Sequence, residues 1–144
     1  MDPDVSDLFS DAQNLKGNNV SFTEDFERRK DQDVFRFRLD EGETVRIETD
    51  TEGNRPDTQI FLFDENGNLL AEDDDSGQGL ESEITFTNNE GYSGRFFVVV
   101  TPYNRDPDDP QTDFATGPQF SGRGDQGDLN VPYTLSIEKE IDIV

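Results

Sequence analysis

The sequence predicts an all-β fold, an antiparallel β-sandwich of jelly-roll type with about eight strands and a short N-terminal helical segment. Three observations predict it. Short segments alternate apolar and polar side chains with period two, most plainly before Leu39, where Phe35, Phe37 and Leu39 fall on one face and Arg36 and Arg38 on the other. Turn-forming Gly, Asn and Asp separate these segments at close spacing. The run RFFVVVT is almost continuously apolar, as expected of a central strand covered on both faces.

Taken in order, residues 1–17 are polar apart from LFSDAQNL, in which Leu8, Ala12 and Leu15 share one helical face, so a short helical stretch is expected there. Gly17 punctuates, Val20 and Phe22 mark a short strand, and EDFERRK reads as a charged bend. The strand Val34 to Leu39 turns through Asp40 to Glu43, around Gly42, into Thr44 to Thr49 with Val45 and Ile47 inward, which predicts a hairpin. A second hairpin joins Ile60–Phe63 to Leu69–Ala71 across Asn66-Gly67. Ile84 and Phe86 alternate in ESEITFT, NNEGYSG turns, and the apolar central strand follows. Residues 102–131 contain Pro102, Pro107, Pro110 and Pro118, much Gly and Asp, and little periodicity. That predicts a long loop, functional or mobile, since it exceeds the usual connection between strands. Tyr133, Leu135 and Ile137 alternate in the closing strand.

A chain of 144 residues fits one domain spanning residues 1–144. Leu, Ile, Val and Phe make up about a quarter of it, above the roughly 20% below which highly charged chains are usually disordered. Against 12 Lys and Arg stand 34 Asp and Glu, a formal charge of -22 whose self-repulsion opposes compaction. Three readings compete. Divalent cations gather the carboxylates; or the charge is a salt-adapted, solubilising surface, which the scarcity of lysine (Lys16, Lys30 and Lys139) also fits; or the chain is disordered, which the strand periodicity argues against.

Nucleic acid is excluded as a partner, because phosphate binding draws on clustered Lys and Arg and no such stripe is present. The absence of cysteine removes disulfides and thiolate chemistry, and the absence of histidine removes the usual general base and most zinc and iron sites. No apolar run approaches the roughly 20 residues of a membrane span, so no membrane insertion is expected. The acidic start MDPDVSDLF is unlike a signal peptide, so export would rely on a signal already removed or lying outside this chain.

Four motifs in order resemble the bacterial pre-peptidase C-terminal domain, which is similar in fold to the collagen-binding domains of clostridial collagenases. DVSDLFSDAQNL resembles the family's EPNDTFAEAQNL-like opening without a gap, and DQDVFRFRLDEGETVRI resembles its D-x-D-x-[FY]-x-F-x-L-x-x-G core. DTQIFLFDENGNLLAEDDDS resembles its D-x-x-L-x-L-[FY]-D segment, and YSGRFFVVVTPY with YTLSIE is similar to its last strands. The resemblance implies a calcium site built from the acidic N-terminal segment and the Asp pair before the first long strand. Carried over by position, the ligands fall on Asp4, Ser6, Asp7 and Asp33. Where calcium-binding relatives carry a further Asp, this chain has Lys30, and the adjacent Asp31 is the substitute.

Calcium takes six to eight oxygens at about 2.3–2.6 Å, a demand that Asp-rich turns meet. Two carboxylates about 5 Å apart repel by roughly 3 kcal/mol at an effective dielectric near 20, so several in one place need a cation. The bland alternative is a solvated tail and turn. A second candidate is Asp73, Asp74 and Asp75, joined by Asp57, although Asp and Ser before Gly also make ordinary turns. Asp64, Asn66 and Asn68 imitate an EF-hand loop, but Leu69 stands where that loop needs Gly, and a hairpin turn explains them better. In the long loop, Tyr103, Phe114 and Phe120 are candidates for stacking on a sugar or packing on a protein strand, or else pin the loop to its own domain. Glycosidic cleavage would need two carboxylates facing across a cleft, which a small sandwich rarely provides.

The expected function is therefore a non-enzymatic calcium-binding module, an accessory or adhesive domain of an extracellular, periplasmic or surface bacterial protein. Its expected partners are calcium ions and an extracellular polysaccharide or protein. The alternative is a metal-independent carbohydrate- or protein-binding domain that uses residues 102–131.

Overall fold

The period-two segments become the strands of two facing sheets. A computed structural model describes residues 12–15, 17, 19–26, 33–51, 57–66, 68–73, 82–89, 91, 93–102, 105–107, 120–122 and 131–139. Among them the strands are β1 (Gln13–Asn14), β2 (Asn19–Asp25), β3 (Asp33–Leu39), β4 (Thr44–Thr51), β5 (Thr58–Asp64) and β6 (Leu69–Asp73). They continue with β7 (Glu83–Thr87), β8 (Gly94–Pro102), β9 (Arg105–Pro107), β10 (Phe120–Gly122) and β11 (Pro132–Lys139). A five-stranded sheet runs β1-β3-β8-β5-β6 and a four-stranded sheet β2-β11-β4-β7, while β9 and β10 form a separate ribbon. Every pairing is antiparallel except β1 with β3.

The inward rows supply the core. Phe35, Phe37 and Leu39 of β3 and Phe96, Val98 and Val100 of β8 join one cluster with Val45 and Ile47 of β4 and Leu135 and Ile137 of β11. Aromatic rings bridge the sheets: Phe22 of β2 meets Phe35 edge-on at 5.5 Å, and Phe86 of β7 meets Phe96 at 5.7 Å. The outer face of the five-stranded sheet carries a second buried cluster, including Val34, Phe61, Phe63, Phe97 and Val99. Strand β8, third of five in its sheet, is thus buried on both faces, as its unbroken apolar run predicts.

The expected first hairpin is a correction. β3 and β4 belong to different sheets, and the turn between them crosses from one to the other. Gly42 takes φ +87°, and its N–H donates to the Asn88 carbonyl at 2.8 Å, while the Asn88 N–H donates to the Glu43 carbonyl at 2.8 Å. The β7–β8 connection, on which Asn88 lies, makes the same change of sheet. Alternation says that β3 and β4 each have a core face, and that demand is met equally by pairing side by side or by facing across the core. The second hairpin, β5 with β6, forms as expected, with a register shift between Leu62 and Phe63.

Two shorter readings also change. Gln13 and Asn14 are a strand, and Ala12 and Leu15 enter the outer and inner clusters respectively, so they lie on opposite sides of the sheet and share no helical face. Leu8 lies outside the described residues. The strand predicted at Val20 and Phe22 runs on through Asp25, and Phe26 beyond it is fully buried, so the opening of the expected charged bend is extended chain. Within residues 102–131, β9 and β10 pair Phe120 with Pro107, Ser121 with Asp106 and Gly122 with Arg105, where a plain loop was expected.

Candidate functional site

The inward row of β3 begins with a carboxylate. Asp33 occupies the position that Phe35, Phe37 and Leu39 continue, and it is fully buried. Across the core, β11 opens its own inward row with Tyr133, whose hydroxyl donates to Asp33 Oδ2 at 2.5 Å. The Tyr133 ring stacks on Phe26 at 5.1 Å, which fixes the hydroxyl's direction. A carboxylate withdrawn from water is tolerated only when hydrogen bonds or a cation compensate it. Tyr133 supplies one such bond from 100 residues away in sequence.

The same end of the sandwich holds a polar knot. Thr49 of β4, Thr58 of β5 and Ser82 are all buried. The Thr49 and Thr58 hydroxyls lie 2.7 Å apart, Ser82 Oγ donates to the Thr58 carbonyl at 2.7 Å, and the Ser82 N–H donates to Thr49 Oγ1 at 3.0 Å. Asp57, half-buried, immediately precedes Thr58. Asp73 ends β6 and accepts the Glu83 N–H through Oδ2 at 2.7 Å. The polar positions that open β3, β5, β7 and β11 and close β4 and β6 therefore converge, because antiparallel neighbours bring starts beside ends.

Asp33, Asp57 and Asp73 thus share one end of the molecule without forming one cluster. Asp33 pairs with Val100, Val100 with Ile60 and Ile60 with Asp73, so Asp33 and Asp73 lie three strand spacings apart, about 14 Å. Among the described residues no group of three or more acidic side chains is gathered closely enough to hold a metal. Asp4, Ser6, Asp7 and Asp31 of the first expected set, Asp74 and Asp75 of the second, and Tyr103 and Phe114 of the loop lie outside the described residues. Phe120 opens β10 opposite Pro107. The donor set is oxygen throughout, the type a hard cation takes, and a carboxylate oxygen that accepts one hydrogen bond keeps a second lone pair.

The EF-hand imitation resolves as a turn. Asp64 Oδ1 accepts the N–H groups of Asn66 and Asn68 at 2.8 and 2.9 Å, and Oδ2 accepts Asn68 Nδ2 at 3.0 Å. Its carboxylate closes the β5–β6 hairpin. Asp64→Ala is expected to cost about 1–2 kcal/mol in urea denaturation, because it deserts several hydrogen bonds. A stability unchanged by this substitution would show that the carboxylate does not hold the turn.

Elsewhere, on the solvent side of the four-stranded sheet, Arg46 Nε donates to Glu83 at 3.1 Å and its Nη2 meets Glu48 at 3.2 Å. The hydrogen bond to Glu83, then the charge of Glu48, hold this guanidinium above its ordinary pKa. Partial exposure to solvent makes these ion pairs minor contributors to stability. Sequence reasoning missed Tyr133 as a partner of Asp33 and missed the Thr49–Thr58–Ser82 knot. The available signal was a tyrosine in an inward row otherwise built of Leu and Ile, whose polar tip demands a partner when buried.

Two facing sheets with a core between them place the chain in the class of two-sheet β-sandwich domains. The family model of the bacterial pre-peptidase C-terminal domain matches residues 31–102, half of the chain, and the chain belongs to that family. Its structure is similar to the pre-peptidase C-terminal domain of a collagenase from Bacillus anthracis, at 17% identity over 88% of this chain and 94% of that one, with a TM-score of 0.57. It is also similar to a periplasmic inhibitor of g-type lysozyme from Aeromonas hydrophila, at 12% identity over 90% of this chain and 96% of that one, with a TM-score of 0.51. At these identities the likeness is one of fold. No curated protein matches the chain in sequence. Among the described residues no helix is long and apolar enough to cross a membrane.

Proposed function

We propose that this domain is a non-enzymatic, calcium-binding accessory module of an exported or surface-displayed bacterial protein, with an adhesive role toward an extracellular protein or polysaccharide. The observation that carries the reading is Asp33, a carboxylate buried at the mouth of the core and held by Tyr133, in a chain of net charge -22. In this reading Asp4, Ser6, Asp7 and Asp31 complete the oxygen set around Asp33. The cation offsets their mutual repulsion and ties the N-terminal segment to the sandwich.

Calorimetric titration of chelator-stripped protein with calcium tests it. Calcium at 100 times its dissociation constant is expected to add about 2.7 kcal/mol of stability, read as a higher melting temperature. Asp33→Asn keeps an acceptor for the Tyr133 hydroxyl and removes the charge, so it is expected to weaken calcium binding about tenfold or more while the metal-free melt changes less. Identical melts with and without excess calcium would overturn the reading.

A second reading, metal-independent binding of a protein or carbohydrate through residues 102–131, is favoured by the paired strands β9 and β10, which give that segment a framework. The likeness to a domain of a collagenase and to an inhibitor of lysozyme supports a protein as the partner. Replacing residues 108–119 by a short turn separates the readings. Loss of binding to immobilised collagen with calcium affinity intact assigns recognition to this segment; retained binding removes it.

A further inference from the structure

Strand β1 covers only part of its neighbour. Asn14 pairs with Arg36, and the Leu15 N–H donates to the Arg36 carbonyl at 2.8 Å. Past this point the chain passes through Gly17, at φ +113°, into β2 of the other sheet, so on the side away from β8 no strand among the described residues lies beside β3 from Phe37 to Leu39. A strand residue's N–H and C=O point to the same side, and those of Arg36 point toward β1. By the period of two, those of Arg38 also point to this open edge, away from β8. Among the described residues nothing pairs with them there.

The same parity makes Arg38 and its register partner Arg95 a non-hydrogen-bonded pair, the closer of the two antiparallel kinds, with Cα atoms about 4.5 Å apart. Like charges directly opposite are unfavourable. Arg36, Arg38, Arg95 and Lys139 line one groove of about 430 Å³ together with Asn14 and Leu15. Four of the chain's 12 basic residues thus converge on one place in a molecule of net charge -22. Among the described residues little answers them. Among the described residues, Arg38 Nε lies 3.6 Å from Asp40 with both side chains 65% exposed, Arg36 Nε reaches only Asn14 Oδ1 at 3.4 Å, and Arg95 and Lys139 have no ion pair.

We propose that this groove takes an extended acidic peptide of another protein, which adds as a strand beside β3 and sets alternate carboxylates on Arg36, Arg38 and Arg95. Open backbone groups supply the affinity of strand addition, and guanidinium forks match carboxylates in geometry as well as charge. The peptide lies beside Phe37–Leu39, since β1 already holds the edge at Arg36, and a carboxylate opposite Arg38 falls on the face that Arg36, Arg38 and Arg95 share. A second copy of this chain is a poor occupant, since two bodies of charge -22 repel. The groove lies toward the Leu39 end of β3, opposite Asp33, so this inference does not rest on the calcium reading.

Fluorescence anisotropy with a labelled peptide of alternating Glu and Thr, in chelator, tests the proposal. Binding is expected, weakened about tenfold by Arg38→Gln or by Arg95→Gln, unchanged by Arg46→Gln, and lost when Gln replaces Glu in the peptide. Methylating alternate peptide nitrogens, with every carboxylate kept, is expected to abolish binding in the register that pairs with Arg38. Retained affinity for both registers of methylated peptide would reduce the effect to charge and overturn strand addition. Equal competition by a sulfated oligosaccharide, or dimerisation of the chain through this edge in sedimentation, would also overturn it. So would an absence of peptide binding, with the double variant Arg38→Gln/Arg95→Gln aggregating, because the arginines would then serve to keep the edge from pairing.

Discussion

Phe96→Ala is expected to lower the stability of the domain by about 3–5 kcal/mol, measured as a shift of the urea midpoint at unchanged slope. Phe96 is fully buried, packs on Phe37 at 6.2 Å within its own sheet and meets Phe86 of the facing sheet at 5.7 Å. Truncation loses the transfer free energy of the ring and leaves a cavity between layers that twisted, hydrogen-bonded sheets cannot easily collapse. For a domain whose whole stability is of order 5–15 kcal/mol, this is a large fraction. Phe86→Ala, at the half-buried end of the same ring pair, is expected to cost clearly less. Equal losses from the two would mean that the ring contact, and not burial, carries the energy.

Tyr133→Phe is the second large effect, about 2–3 kcal/mol at neutral pH. The substitution preserves the ring that stacks on Phe26 and removes only the hydroxyl that donates to Asp33. What is lost is a hydrogen bond to an acidic side chain that water cannot reach, which leaves Asp33 Oδ2 without that donor. A double-mutant cycle with Asp33→Asn isolates the pair, with a coupling of roughly 1.5–3 kcal/mol expected. Additive losses would show that Asp33 and Tyr133 act independently. The same cycle repeated in saturating calcium bears on the proposed function, since a cation held by Asp33 takes over part of the compensation that Tyr133 provides.

Much of the architecture was legible because burial on one face of a strand writes period two directly into the chain. Tyr133, Leu135 and Ile137 are buried in β11 as their alternation requires, and Asn66 marks the turn that Asp64 closes. The partner of each strand was less legible. The short turn around Gly42 looks like that of a hairpin, yet its backbone groups are answered by Asn88, which nothing in the local sequence foretells. The candidate site divides in the same way. Asp33 stood out as a carboxylate at the head of an apolar row, whereas the basic groove escaped notice because its members lie on β3, β8 and β11, far apart in sequence.

The sequence by itself determined that the chain is all-β, which residues face a core, that β8 runs through the middle of a sheet, and that the surface is overwhelmingly acidic. These are properties of local pattern and composition, set residue by residue by the cost of burying or exposing each side chain. Only the tertiary structure decided which sheet β3 and β4 join, that Tyr133 answers Asp33 across the core, and that Arg36, Arg38, Arg95 and Lys139 share one groove. Those facts depend on contacts between residues distant along the chain, and a period of two constrains the direction of a side chain without naming what stands opposite it.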